Sequence, residues 1–345
     1  MALTHHSSGN DTFLQDHWDQ MVGVISYGMS RALDHTTQLY GAPFGPQGIP
    51  LSGEKGQALG PANTISMILG LENMAEMGSH IGQTDLASVY QKQANLSRAA
   101  IDTLLWNATD NFYASTIAAP GFDLTDLGLV LQAQIGTPER RTKFLSHLDE
   151  LSVPAGYFNG TRFADTPKVV NPYYEGFLLE GLAVANEASL AQDLLDRTWS
   201  PMVRKDRNFT GGYWEYVSTD GTYPGLDLFT GSSHFWASMP NAFLTEYVLG
   251  VRPTSPGYTK FVFEPLRGWN SEWISGRVPT PKGVIYAAWG VQENGKILMQ
   301  IEAPAGVNGQ VVVPWDGTSA VGNETGVTGE ISVNGGSGAV IITEE

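Results

Sequence analysis

The stretch TEYVLGVRPTSPGYTKFVFEP, residues 245–265, decides the fold. Up to Gly250 it reads as the end of an apolar helix. Beyond it, Pro253, Pro256 and Pro265 rule out a continued helix, because proline has no N–H for the helical ladder and crowds the preceding turn. From there to the end, short alternating runs follow one another: TKFVFEP (259–265), GVIYAAWGV (283–291), KILMQIEAP (296–304), GQVVVPW (309–315), GEISVN (329–334) and AVIITEE (339–345). Alternation of apolar and polar residues between Gly, Pro and Asn breaks is a strand pattern. Residues 251–345 are therefore expected to form an all-β domain, a sandwich.

Upstream the period changes from two to that of a helix. Phe13, Leu14, Trp18, Met21, Val22, Ile25 and Met29 fall on one helical stripe, with Asn10-Asp11-Thr12 offering N-cap chemistry. The same reasoning predicts helices over 13–37, 61–82, 85–106, 124–135, 138–151, 172–186, 190–204 and 233–249. Pro61 sits at the favoured first helical position, and Thr137 precedes Pro138 as an N-cap. Residues 41–60 form a loop too rich in Gly and Pro for regular structure. The fold class expected is mainly α with a C-terminal all-β domain: an incomplete (α/α) helical-hairpin barrel of roughly eight helices followed by a β-sandwich. Residues 1–12 are expected as a flexible tail, 13–250 as the helical domain and 251–345 as the sandwich. No fixed-period repeat marks a solenoid.

Composition narrows the function. Of 345 residues, 42% are hydrophobic and 16% charged, an ordinary globular balance. The net charge of −16 leaves no basic footprint for nucleic acid and disfavours a polyanionic substrate unless cationic side chains are gathered in the cleft. No apolar run approaches the about 18 residues that span a bilayer, so no membrane partner is expected. There is no cysteine, hence no disulfide framework or thiolate site. The seven histidines show no metal-ligand spacing; neither metal nor cofactor is expected. Residues 53–56 are not a phosphate loop, and there is no Gly-x-Ser-x-Gly elbow. Sequons at Asn10, Asn95, Asn107, Asn159, Asn208 and Asn323 point to a secreted or extracellular protein, although no signal segment opens the chain; otherwise it is cytoplasmic.

The chemistry gathers in residues 211–250, GGYWEYVSTDGTYPGLDLFTGSSHFWASMPNAFLTEYVLG. Aromatic rings stack on the apolar faces of sugars, and carboxylates bind hydroxyls or move protons. Glu215, between two aromatics and after Gly211-Gly212, is the leading catalytic candidate; an ion-pairing or capping Glu is the bland alternative. Trp214 and Trp236 are stacking platforms or core. Tyr213 and His234 are candidate substrate contacts, as is Asp227 between two leucines, whereas Asp220 reads as a turn residue. Upstream, Tyr173 is a candidate cavity residue, beside Tyr174 and Glu175 at a helix start, where the acid also suits the helix dipole. Glu180 shares that helix. Glu54, alone in the 41–60 loop, is a solvated turn residue or a stand-in acid. Small molecules or oligosaccharides are the partners this composition suits.

Four segments carry a resemblance. They are Gly212-Tyr213-Trp214-Glu215, Ser233-His234-Phe235-Trp236, the exit Tyr247–Pro253 with Pro256-Gly257-Tyr258, and Val278–Gly283 with Trp289. Together with the earlier helices, loosely matched, they resemble the fungal and bacterial α-L-rhamnosidases of the six-hairpin glycosidase superfamily, strongly over 211–315. The resemblance implies an (α/α)6 barrel, an inverting mechanism and Glu215 as general base. The family's general-acid segment has no counterpart, and residues 52–56 stand where its Asp-Trp would be, so the chain reads as shortened at its N-terminal side. The expected function is that of an α-L-rhamnosidase-like glycoside hydrolase. The alternatives are a homologue working as an isomerase, lyase or cyclase on another small molecule, or a sugar-binding protein. An open barrel edge suggests a homodimer.

Overall fold

The computed structural model describes residues 2–41, 59–118, 121–160, 169–204, 209–222, 225, 230–316, 318–322, 324–327 and 331–344. Its helices are α1 (Ala2–Ser8), α2 (Asp11–Ala32), α3 (Pro61–His80), α4 (Thr84–Leu104), α5 (Leu124–Gln132), α6 (Pro138–Leu145), α7 (Pro172–Val184), α8 (Ala188–Thr198), α9 (Ser200–Val203) and α10 (Met239–Phe243). A π-helical turn, Leu244–Val248, extends α10. The chain divides into two compact units, one of residues 15–185 and 193–239, the other of 1–14, 186–192 and 240–345.

The first unit is helical, with helices paired in hairpins: α3 packs on α4 and α5 on α7. Sequence chemistry sets their ends. Asn10 Oδ1 accepts from Phe13 N (2.9 Å), Thr137 Oγ1 from Arg140 N (3.2 Å) and Asn171 Oδ1 from Tyr173 N (3.0 Å), each filling an orphan donor of a first turn. The helix expected to reach 37 stops at Ala32. There the Asp34 carboxylate accepts from the backbone N–H of Thr36 and Thr37, a local turn that competes with the helix.

The α5–α7 crossing depends on glycine. A methyl added at Gly128 would lie 2.6 Å from Leu178 N, and one at Gly181 would lie 2.5 Å from Gly128 O. Around this contact Leu127, Val130, Leu178, Leu179 and Leu182 are fully buried. Gly128→Ala must push the helices apart and is expected to cost about 1–3 kcal/mol. The readout is a lower urea midpoint at unchanged m-value; an unchanged midpoint would show that the crossing tolerates a side chain.

The second unit holds the sandwich. Its strands are β1 (Val251–Pro253), β2 (Lys260–Phe263), β3 (Trp273–Thr280), β4 (Gly283–Val291), β5 (Ile297–Glu302), β6 (Asn308–Val311), β7 (Ser319–Val321), β8 (Glu324–Val327), β9 (Ile331–Val333) and β10 (Val340–Glu344). One sheet runs β8-β7-β10-β5-β4-β3 and the other β9-β6-β2-β1. All pairings are antiparallel except β6 with β2. Alternate residues, such as Ile285, Ala287 and Trp289 or Met299 and Ile301, turn into one core with Phe261 and Phe263, as period-two burial requires. β3 escapes a sequence reading because Gly276 and Pro279 interrupt it. It forms at the sheet's edge, where proline is tolerated.

Two expectations about the ends of the helical region differ from what is seen. Residues 2–8, expected within a flexible tail, are helical: Gly9 packs on Gly257, and His5, 2% exposed, bonds Asp11 (2.9 Å). The last helix, expected over 233–249, begins only at Met239, after a 3-10 turn at Phe235–Ala237. Its C-terminal end belongs to the sandwich unit, because Trp289 Nε1 donates to Val248 O (2.8 Å) and Arg252 ties Glu246 O to the Glu264 carboxylate.

Candidate functional site

The site is built on a two-stranded clasp. Glu215 N donates to Gly231 O and His234 N to Tyr213 O, both at 2.8 Å. Gly212 lets the two segments close, since a methyl there would lie 2.7 Å from Ser232 O. The Glu215 carboxylate folds back on the clasp and accepts from Gly231 N through Oε2 (3.2 Å). Its other oxygen takes no hydrogen bond among the described residues. Glu215 is half-buried.

A second ladder brings helix α7 to this clasp. Val169 and Val170 pair with Ser218 and Val217, so the start of α7 lies beside the residues that follow Glu215. Tyr173 there meets Trp236 edge-on at 5.9 Å, and also Phe177 at 5.1 Å and Tyr174 at 5.6 Å. The Tyr174 phenol is pushed up by burial, with Tyr216, Tyr173 and Asp123 adding to it. Burial and the neighbouring Glu215 charge push Tyr216 up as well. Tyr174, Tyr173, Phe177 and Trp236 thus form one connected aromatic group, and the Val169–Val170 ladder brings the segment after Glu215 to the start of its helix. Asp123, at the N-cap of α5 and bridged to Gly160, is a second half-buried carboxylate, whose charge reaches Tyr174. Sequence reasoning passed over Asp123, which carries no motif and lies far from residues 211–250 in sequence.

Each remaining candidate has a definite place. Trp214 is 1% exposed, with Nε1 donating to Thr210 Oγ1 (2.9 Å); it is core beneath the clasp rather than a platform. Tyr213 and His234 are half-buried on the clasp. Trp236 is 64% exposed, and its turn is anchored by Trp199 Nε1 donating to Ala237 O (2.9 Å). Asp220 accepts from Ser218 Oγ and from Thr222 N and Oγ1, the turn role read for it. Glu180 accepts from Gln132 Nε2 (2.6 Å). Asp227 and Glu54 lie outside the described residues. A groove of about 520 Å3 between α3 and α4, lined by Glu72, Glu76, Ser79 and Ser88, has no aromatic wall and is no sugar cleft.

Glu175 is fully buried in the first turn of α7. Oε1 accepts from Tyr157 N (2.6 Å), and Oε2 meets Thr198 Oγ1, whose hydroxyl also reaches Ala155 O (2.8 Å). Thr198 has one proton for two acceptors. A protonated Glu175 resolves this by donating to Thr198, which donates to Ala155. Burial accordingly pushes this carboxyl up to about 8, against smaller opposing effects of Thr198, Tyr157 N–H and Arg197. Glu175 is the neutral pin that holds the start of α7 to residues 155–157.

Comparison with known proteins follows the same lines. Residues 250–328 match the bacterial α-L-rhamnosidase C-terminal domain. No curated protein matches the chain. Among solved structures, a GH78 family rhamnosidase of Bacillus sp. GL1 is 20% identical with a TM-score of 0.69, over 91% of this chain and 32% of its own. The α-L-rhamnosidase from Dictyoglumus thermophilum is 16% identical with a TM-score of 0.69, over 98% of this chain and 38% of its own. That of Streptomyces avermitilis, complexed with L-rhamnose, is 16% identical with a TM-score of 0.69, over 99% and 32%. This chain spans about a third of the length of the structures it matches. The resemblance read from the sequence holds at the level of fold: the chain is similar to the GH78 α-L-rhamnosidases, carbohydrate-active enzymes, with residues 250–328 matching their C-terminal domain.

Proposed function

We propose that this chain is a glycoside hydrolase for α-L-rhamnosides, with Glu215 as the general base that activates water. The observation that carries this reading is the state of Glu215: one carboxylate oxygen is fixed by Gly231 N–H, and the other is open among the described residues, beside aromatic walls. A base must hold one orientation and keep a lone pair for water. Trp236 and Tyr173 then offer an apolar wall to the deoxysugar, and His234 a donor to a hydroxyl. An inverting reaction needs a second carboxylate about 6.5–9.5 Å away to protonate the leaving oxygen. Asp123, whose charge reaches Tyr174, is the described acid to which that role falls in this reading.

Release of p-nitrophenol from p-nitrophenyl α-L-rhamnoside by the full chain tests it. Turnover that saturates with substrate, and is absent with the corresponding β-D-glucoside, is expected. Absence of turnover would sink the proposal. A sugar-binding protein is the second reading, since aromatic side chains such as Tyr173 and Trp236 can hold a sugar without any proton transfer. It would show itself as L-rhamnose binding without release.

A further inference from the structure

The outer face of the six-stranded sheet carries a groove of about 460 Å3 on β3, β4 and β5. Strand register orders what lines it. Ser275, Ala288 and Gln300 form one cross-strand row, and Arg277 and Tyr286 the next, while Trp273 stands beside Gly290 on the other side. Ala288 and Gly290 keep the middle low between two exposed aromatic residues, Tyr286 (44% exposed) and Trp273 (68%). Trp273 and Arg277 are four residues apart on one strand, about 13 Å at the rise of a β-strand. That length exceeds one sugar ring. The arrangement is a flat, rigid platform with aromatic ends and hydrogen-bonding side chains between them, and it has no deep apolar pocket for a peptide anchor.

The charge of the groove is more specific. The Arg277 guanidinium lies 5.2 Å from the Tyr286 ring centroid, stacked as guanidinium groups stack on aromatic faces. Among the described residues it has no hydrogen bond or ion pair. Glu302 pairs with Tyr286 from the strand opposite Arg277. On a chain of net charge −16, a flat guanidinium with its N–H edges unspent, in a groove with no acidic lining residue, is complementary to a carboxylate, which Arg binds two-pronged. We propose that this sheet face binds a saccharide chain carrying a carboxylate. A sugar ring lies on Trp273, Ser275 and Gln300 meet hydroxyls, and Arg277, held over Tyr286, takes the acid group. This site is separate from the clasp at Glu215 and does not depend on the hydrolase reading.

Calorimetric titration of the full chain with an α-1,4-linked galactotriose carrying a single galacturonic acid residue and with its neutral counterpart, galactotriose, tests the proposal. The acidic trisaccharide is expected to bind about tenfold or more tightly than the neutral one, the scale of one charge-assisted pair. Arg277→Met should remove that preference, Trp273→Ala should weaken both ligands, and excess L-rhamnose should leave both affinities unchanged. Three results would overturn the proposal: no saturable binding of the acidic trisaccharide, equal affinity for the two ligands, or binding that survives Arg277→Met and is displaced by L-rhamnose.

Discussion

Glu215→Gln is expected to cut kcat on p-nitrophenyl α-L-rhamnoside by about 10²- to 10⁴-fold, the usual contribution of a general base. The affinity for L-rhamnose should stay within a few-fold. Gln keeps the shape of the side chain, and its carbonyl can still accept from Gly231 N, so the clasp is preserved. What it cannot do is take a proton from water. A loss confined to kcat separates a base from a binding residue, because uniform binding lost from ground and transition state appears in KM. Equal kcat in the variant would remove Glu215 from the chemistry. An unfolding curve matching wild type guards against a trivial loss of fold.

The second large effect concerns stability against pH. Glu175 is raised in the folded state from 4.5 to about 8, mainly by burial. Between those values the folded state holds a proton that the unfolded state has released. Stability therefore falls as pH rises. The contribution of Glu175 is fully present below about pH 4.5 and is lost progressively up to about pH 8, above which both states are ionised and the curve flattens. The whole fall amounts to about 3–5 kcal/mol, taking about 1.4 kcal/mol per pH unit. Glu175→Gln imitates the protonated acid: its carbonyl accepts from Tyr157 N and its amide donates to Thr198. The variant is expected to match wild type near pH 5 and to exceed it by several kcal/mol at pH 8–9. Urea unfolding at the two pH values checks this. Parallel pH profiles for both proteins would mean that Glu175 is not the neutral pin described.

Much of this molecule could be read from its residues, and the parts that could not share a cause. The change at Gly250 was legible because Pro253, Pro256 and Pro265 are incompatible with a helix whatever surrounds them. Pro61 starts a helix through its fixed φ at the first position, and Thr137 through a bond within one turn, both of which sequence encodes directly. Residues 233–238 carry a helical pattern but hold only a 3-10 turn at Phe235–Ala237, where Trp199, 38 positions away, bonds Ala237 O. Glu175 looked like a dipole-favouring acid at a helix start. Its burial follows from the approach of residues 155–157 and Thr198, which no local pattern announces. Trp214 could be core or platform on composition alone, and its 1% exposure decides for core. Asp123 is placed by a bridge to Gly160 too short to leave a period.

The most direct measurement is proton NMR of wild type and Glu215→Gln incubated in parallel with an aryl α-L-rhamnoside. Wild type is expected to release β-L-rhamnose first, the product of an inverting attack by water, before mutarotation mixes the anomers, and Glu215→Gln is expected to release almost none. Release of no rhamnose by wild type, or release at the same rate by both proteins, would contradict the assignment of Glu215 as the base of a rhamnoside hydrolase.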